Sequence, residues 1–449
     1  MTDCHINRLP AELLQQVFAE VTDLNAAPPS SHNFSLDPSD GLTKSDKTPL
    51  KTLSLICRRW REAVLPSLFR HGRLELSSKP RWARLCLELR DHLQANCKKT
   101  SATLKLIKLI EGLACVHQDT HEDQILGFSF LDHEVDSVPS RYRHWLPSSR
   151  EADDFLSFIS SHHLIDKVKT LVIHAHQSLA NDRSSPEQSV LHAEVRALWR
   201  SIFGTLQLDQ VIVAAPPSTI APLSGGSEHE VDSWLFRIPY HYLRLSKSAP
   251  HFRTKNQSPP AGPPNRGREV FLYNIAMWDH IGYNEGTHLR GYGHYEYQWK
   301  KPSDVFRSLI EWLAKERACP KTPKIRSVEY IAAFPYSSHV FNLARSLSSL
   351  QDVRQLTVSL ANPDLLSDQE LMGKAQPSDV YSEWEECYHH IARNLLATAA
   401  KGTVFIAKDT KHVTLREQVV RCVERRTLMP TTYAPVIEER EGIMSWMIP

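Results

Sequence analysis

The chain has 449 residues, enough for two or three domains of about 150 residues each or for one long repeat array. Its 53 Lys and Arg nearly balance 51 Asp and Glu, so a formal charge of +2 supplies no global field for nucleic-acid phosphates or anionic lipid. Only 16 glycines stand against 28 prolines, which weighs against glycine-rich phosphate loops.

The first periodic segment runs from Leu9 to Val21, where Leu9, Leu13, Leu14, Val17, Phe18 and Val21 make one apolar helical stripe and Pro10 suits the first turn. Residues 24–49, rich in Pro, Ser, Asp and Asn, bury too little to offset ordering entropy and read as a disordered insert. Helical periodicity resumes at Leu50, with Leu53, Ile56, Cys57, Trp60, Ala63 and Val64 on one face, until Pro66 ends or kinks the run.

The residue identities in these two stretches resemble the F-box: Leu9-Pro10, Glu12-Leu13-Leu14, Val17-Phe18, Leu53 with Leu55, Ile56-Cys57, Arg58-Arg59, Trp60, and Leu68-Phe69 leading into a strand. The resemblance covers only Ile6 to about Arg73, and the 24–49 insert replaces the usual short turn between helices. It implies docking on the Skp-type adaptor of cullin-based ubiquitin ligases, with Leu9, Pro10, Leu13, Leu14, Val17, Phe18, Leu53, Ile56 and Trp60 as the adaptor-binding set, some of them internal core instead. Cys57 is expected as small apolar packing.

Beyond the F-box-like segment, amphipathic helical patterns alternate with short β-branched runs. Strands are expected at 73–76, 168–174, 210–214, 242–245, 270–274, 326–332, 353–359 and 403–407. Helices are expected at 152–163, 190–206, 302–318, 339–350, 380–401 and 414–426, the last opened by a Thr414/Glu417 capping box. This alternation predicts a mixed α/β domain with parallel strands, either doubly wound and closed or an open solenoid. The L-x-L strand cores and the 28 residues from Val328 to Leu356 favour an irregular leucine-rich-repeat-like array over residues 71–430, similar to the divergent arrays that follow F-boxes in many fungal proteins. Loop inserts are expected at 246–268 and 279–300, and a C-terminal tail at 431–449.

No catalytic signature is present. His121-Glu122, His133-Glu134 and His229-Glu230 lack the second histidine of a zinc-protease motif, and no G-x-S-x-G elbow or Walker lysine occurs. His174 and His176 share a strand face but have no visible further ligands, so a polar strand end is the expectation. The doublets His162-His163 and His389-His390 are expected to face solvent. Tyr283, Tyr292, Tyr295, Tyr297 and Trp299 in the 279–300 insert are the candidate target-binding residues, the alternative being that they pack in a cluster of their own.

The eight cysteines (Cys4, Cys57, Cys86, Cys97, Cys115, Cys319, Cys387 and Cys422) are scattered without any C-x-x-C pair and read as reduced thiols of a cytoplasmic or nuclear protein. The opening MTDCHINRLPAELLQQ has no signal-peptide pattern, and no window approaches about 18 consecutive apolar residues, so neither secretion nor membrane insertion is expected.

The resemblance implies a non-catalytic substrate-recognition subunit of a Skp-cullin-F-box ubiquitin ligase. Its partners would be the adaptor, the cullin through it, and a target protein, with no metal, other cofactor, nucleic acid or membrane. Two alternatives stand beside it: an F-box scaffold without ligase activity, and an unrecognised α/β enzyme.

Overall fold

The computed structural model describes residues 9–25, 48–76, 148–175, 185–225, 240–247, 272–293 except 274, 301–315, 324–427 and 436–448 except 441, with isolated positions between 90 and 108. Three helices come first: α1 (Ala11–Asn25), α2 (Thr48–Ser54) and α3 (Arg58–Leu68). The expected second helix is thus two, broken at Leu55–Cys57, where Cys57 is extended and exposed at the start of α3 instead of packed. Pro66 sits in the last turn of α3, which ends two residues later, where the Phe69 amide caps the Leu65 carbonyl at 2.9 Å. The expected insert loses its ends to helices, and 26–47 lie outside the described residues.

Strand β1 (His71–Glu75) follows directly, then α4 (Ser148–Ser161), β2 (Thr170–His174), α5 (Ser185–Thr205), β3 (Gln210–Ala215), α6 (Pro217–Ser224) and β4 (His241–Ser246). The second half runs β5 (His280–Thr287), α7 (Leu289–Tyr292), α8 (Val305–Lys315), β6 (Ser327–Ala333), α9 (Ser337–Leu347), β7 (Gln355–Ser359), α10 (Gln369–Met372) and α11 (Pro377–His390). After a π-turn at Ile391–Leu395 come β8 (Val404–Ala407), α12 (Val413–Thr427), β9 (Val436–Arg440) and β10 (Ile443–Met447).

These ten strands form one mixed sheet whose order follows the chain from β1 to β8, with β10 and then β9 at the end. Neighbours are parallel except for β4, antiparallel to both β3 and β5, and for β10, antiparallel to both β8 and its hairpin partner β9. The expectation of parallel strands is corrected at these places. The hairpin also corrects the expected tail: β10 pairs with β8, and Trp446 lies 5.7 Å from Phe405.

One row of register partners, Leu171, Val211, Leu245, Ile281, Val328, Leu356 and Phe405, crosses seven strands, and all seven are buried. With period-two alternation this row and its neighbours face the helices, and helix residues such as Leu156, Trp199, Leu309, Leu343, Trp384 and Val419 complete the main core. The opposite face holds a small cluster of Val172, Ile212, Ala214, Tyr242 and Ile331 to which no described helix contributes. Spacing along the register row varies from 28 residues between β6 and β7 to 49 between β7 and β8.

One expected strand is misplaced. Leu272 and Tyr273 form a turn whose Leu272 carbonyl accepts the Trp278 indole N–H at 2.8 Å, and the strand lies at His280–Thr287, inside the expected 279–300 loop insert. The 414–426 helix starts at Val413 with the Leu415 and Arg416 amides on the His412 carbonyl, so Thr414 stands inside the first turn, not at a capping box.

A buried carboxylate ties the C-terminal half together. Asp409 accepts the Leu360 amide (2.9 and 3.0 Å), the Trp384 indole N–H (3.1 Å) and the Tyr388 hydroxyl (2.8 Å), joining the end of β7, helix α11 and the segment after β8. Burial raises its pKa above the ordinary aspartate value despite these donors.

Candidate functional site

The stripe on α1 divides into two faces. Leu14 and Phe18 point inward with Leu50 of α2 and Trp60, Ala63 and Val64 of α3, forming a small separate core in which the Phe18 and Trp60 rings meet at 5.3 Å. Leu9 and Leu53 are partly buried against it. Pro10 is exposed, and so are Leu13 (45%), Val17 (43%), Leu55 (81%) and Ile56 (56%). Of nine residues in the expected adaptor-binding set, Leu14, Phe18 and Trp60 are therefore internal, and Pro10, Leu13, Val17 and Ile56 are presented to solvent.

The turn between α2 and α3 is built to hold its apolar residues out. The Leu55 and Ile56 amides bond back to Thr52 and Leu53, ending α2 before either side chain can turn inward. The Arg59 guanidinium bonds the Leu9 carbonyl, drawing the start of α1 against this turn, so Leu9-Pro10 and Leu55-Ile56 sit at one end of the unit. Leu55, the most exposed of these residues, was matched to the F-box pattern but is absent from the expected docking set; its position in a turn, outside helical periodicity, is the signal that marks it.

The aromatic candidates lie elsewhere. Tyr283 is a β5 residue, 1% exposed and stacked parallel on Phe306 at 4.6 Å. Tyr292 is buried in α7, its hydroxyl donating to the Pro335 carbonyl at 3.3 Å and its ring edge-on to Tyr336. Neither offers a surface to a target, which corrects the expectation in favour of internal packing. Tyr295, Tyr297 and Trp299 lie outside the described residues.

At the end of β5 the sequence reading missed a buried polar cluster. Glu285 accepts from the Tyr330 hydroxyl at 2.9 Å, faces His339 Nε2 at 2.9 and 3.1 Å, and lies 3.3 Å from His288 Nε2. Burial alone would raise its pKa, but His339 and His288 hold the carboxyl well below the usual range. Burial and the Glu285 charge push the Tyr330 phenol up, which keeps it a donor. Nearby His241 meets the Tyr283 hydroxyl at 3.0 Å, and burial depresses its pKa to about 4. With its oxygens committed to three partners and its side chain 1% exposed, Glu285 anchors the strand end. No spacing rule links positions 285, 288, 330 and 339 before the fold is known.

A second buried charge group crosses the sheet. Arg244 of β4, Gly282 of β5, Glu329 of β6 and Thr357 of β7 are register partners. Glu329 receives the Arg244 guanidinium from one side and Lys408 Nζ (2.6 Å) from the other. Burial works to raise the Glu329 pKa, and the two cations hold it lowered. Arg244 reaches across β5 because Gly282 has no side chain: a Cβ there would come within 3.2 Å of Arg244 Nε. His280, beside this group, contacts Arg244 at 2.8 Å and Ser327 Oγ at 3.0 Å, and burial lowers its pKa to about 4.

The histidines read from sequence fall as follows. His174 is buried at the end of β2 with its ring 5.2 Å from Tyr240, not at the surface, and His176 lies outside the described residues. His162 and His163 are exposed as expected, whereas His389 and His390 are half-buried against expectation. No described helix is long and apolar enough to cross a membrane.

No family model, no curated protein and no solved structure matches this chain. The F-box resemblance therefore rests on the residues of the N-terminal unit and on how they are presented.

Proposed function

We propose that this chain is the substrate-recognition subunit of a Skp-cullin-F-box ubiquitin ligase, with α1–α3 as an F-box and the sheet domain as an irregular leucine-rich-repeat-like solenoid. The observation that carries the reading is the exposed apolar set Pro10, Leu13, Val17, Leu55 and Ile56 on a unit with a core of only six residues. A unit this small cannot cover such a set alone, and a docked protein partner would. All five belong to the pattern that resembles the F-box. Strand order that follows the chain, with the described helices packed on one face, supports the solenoid part of the reading.

The target would then be held by the sheet face turned away from the helices. One register row there, Gln210, Ser246, His280, Ser327 and Gln355, offers hydrogen-bonding side chains that are half-buried or exposed. The protein contributes proximity: it raises the effective concentration of target lysines near a recruited conjugating enzyme, and no side chain of its own takes part in the transfer.

The test is retention on purified, immobilised Skp adaptor. Wild type binds, and the double variant Leu13→Asp/Ile56→Asp is lost while its fold is retained; wild-type binding no better than that of the variant defeats the reading. Cullin co-purification and ubiquitylation of a captured target then separate a receptor from a scaffold.

A further inference from the structure

Helices α11 and α12 pack against each other near the end of the sheet, and three metal-ligating side chains converge between them: Glu385 and His389 of α11 and Cys422 of α12. Glu385 and His389 are four residues apart and share a helix face. Cys422 belongs to the buried stripe of α12 with Leu415, Val419 and Val423, facing the main core. One candidate ligand atom from each of the three lies within 4.8 Å of the other two.

The Glu385–His389 distance is set apart from an ordinary hydrogen bond. Cys422 Sγ lies 3.8 Å from His389 Nε2, and Glu385 Oε1 lies 3.9 Å from the same nitrogen. A charge-assisted N–H···O bond would close to about 2.8 Å. The edges of a tetrahedron around zinc, with bonds of about 2.3 Å to sulfur and about 2.0–2.2 Å to nitrogen and oxygen, are about 3.6 Å and about 3.4 Å. Both observed separations are a few tenths of an ångström wider than those edges; the Glu385–His389 one is far wider than an N–H···O hydrogen bond, while the Cys422–His389 one is also the length of a sulfur hydrogen bond.

The state of the imidazole points the same way. His389 is half-buried, its Nδ1 is buried without a hydrogen-bond partner among the described residues, and Nε2 makes only the two long approaches. A cation on Nε2 would give that nitrogen a close partner in place of the two long approaches. Access is open, since the Glu385 side chain is 41% exposed. The backbone turns into the π-turn Ile391–Leu395 two residues after His389, a distortion of the kind that recurs at functional positions in helices.

We infer that Glu385, His389 and Cys422 form a site for a zinc-class divalent cation, with one coordination position left to water or to a ligand from a partner. Thiolate and imidazole select this class over magnesium or calcium, and the carboxylate and thiolate together neutralise the ion. Binding clips α11 to α12. The sequence carried the Glu-x-x-x-His spacing in plain view, but the third ligand stands 33 residues further on and only the helix packing brings it near.

Cobalt(II) titration of the full chain tests this. Wild type and Cys57→Ser, which removes the one exposed thiol among the described cysteines, develop a thiolate-to-cobalt charge-transfer band that zinc abolishes. Cys422→Ala lacks the band, and His389→Ala and Glu385→Gln each weaken cobalt affinity by at least about tenfold, the lower end of what even an outer-shell substitution costs. Absence of the band in wild type, or its persistence in Cys422→Ala, overturns the inference. Should Cys422→Ala fail to fold, the other two variants decide: unchanged affinity in either one overturns it.

Discussion

The N-terminal unit and the sheet domain treat their apolar residues in opposite ways. Among the described residues nine large apolar side chains are exposed, and four of them, Leu13, Val17, Leu55 and Ile56, belong to the short α1–α3 unit. The sheet domain instead buries its largest rings, among them Trp199, Trp278, Trp384, Trp446, Tyr283 and Tyr330, and satisfies several of their polar atoms: Trp199 and Trp278 each donate to a backbone carbonyl at 2.8 Å. One region leaves apolar side chains in solvent. The other is complete and reinforced by internal charge.

The sharpest way to break this contrast is inside the sheet domain. Asp409→Ala strands the Leu360 amide, the Trp384 indole and the Tyr388 hydroxyl together, and unfolding free energy should fall by about 3–5 kcal/mol, read by urea denaturation. Replacing exposed apolar residues in the other region should do the reverse. Leu13→Asp/Ile56→Asp should leave the urea midpoint nearly unchanged, within about 0.5 kcal/mol, yet weaken adaptor binding by about 2–3 kcal/mol in a calorimetric titration. A variant that loses stability and binding in proportion would show these side chains to be core after all.

Acid probes the buried polar groups. His241 is depressed to about 4 when folded, against about 6.5 unfolded, so between those values the unfolded chain binds the extra proton. Its contribution to stability is complete above about pH 6.5 and falls as pH drops towards 4, by about 2 kcal/mol between pH 7 and 5. Urea denaturation at the two pH values should show that fall together with a like one from His280, which is also depressed to about 4, and His241→Gln should remove its own share. Glu285, held well below the ordinary carboxylate range, loses its contribution only in stronger acid. The smallest effect expected is Gly282→Ala. The added Cβ meets Arg244 at 3.2 Å and should cost about 1 kcal/mol, read by urea denaturation.

How much of this is legible in the sequence depends on the kind of signal. Strands such as Thr170–His174 and Gln210–Ala215 announce themselves through β-branched runs, and helix α8 through its apolar spacing, because burial imposes a period. Strand β5 is hidden for the opposite reason: HIGYNEGT carries two glycines, an asparagine and a buried glutamate, residues depleted in strands, and each has a positional role that only neighbouring strands define. Gly282 lets Arg244 across, Gly286 adopts φ +74° after the Asn284 side chain takes its amide at 2.7 Å, and Glu285 meets partners from β6 and α9. The apolar stripe of α1 is half legible. Periodicity identifies Leu13, Leu14, Val17 and Phe18 as one apolar set, but which two of the four face inward depends on where Trp60 sits.

Helix α3 belongs to both regions at once. Trp60, Ala63 and Val64 complete the small core, Leu65, one residue on, is part of the main one, and only Phe69 and Arg70 separate the helix from β1. Under the proposed docking, a partner on the exposed turn would be aimed: its bearing relative to the strands would be set by a continuous helix instead of a tether, and the gap it spans would be the same in every molecule.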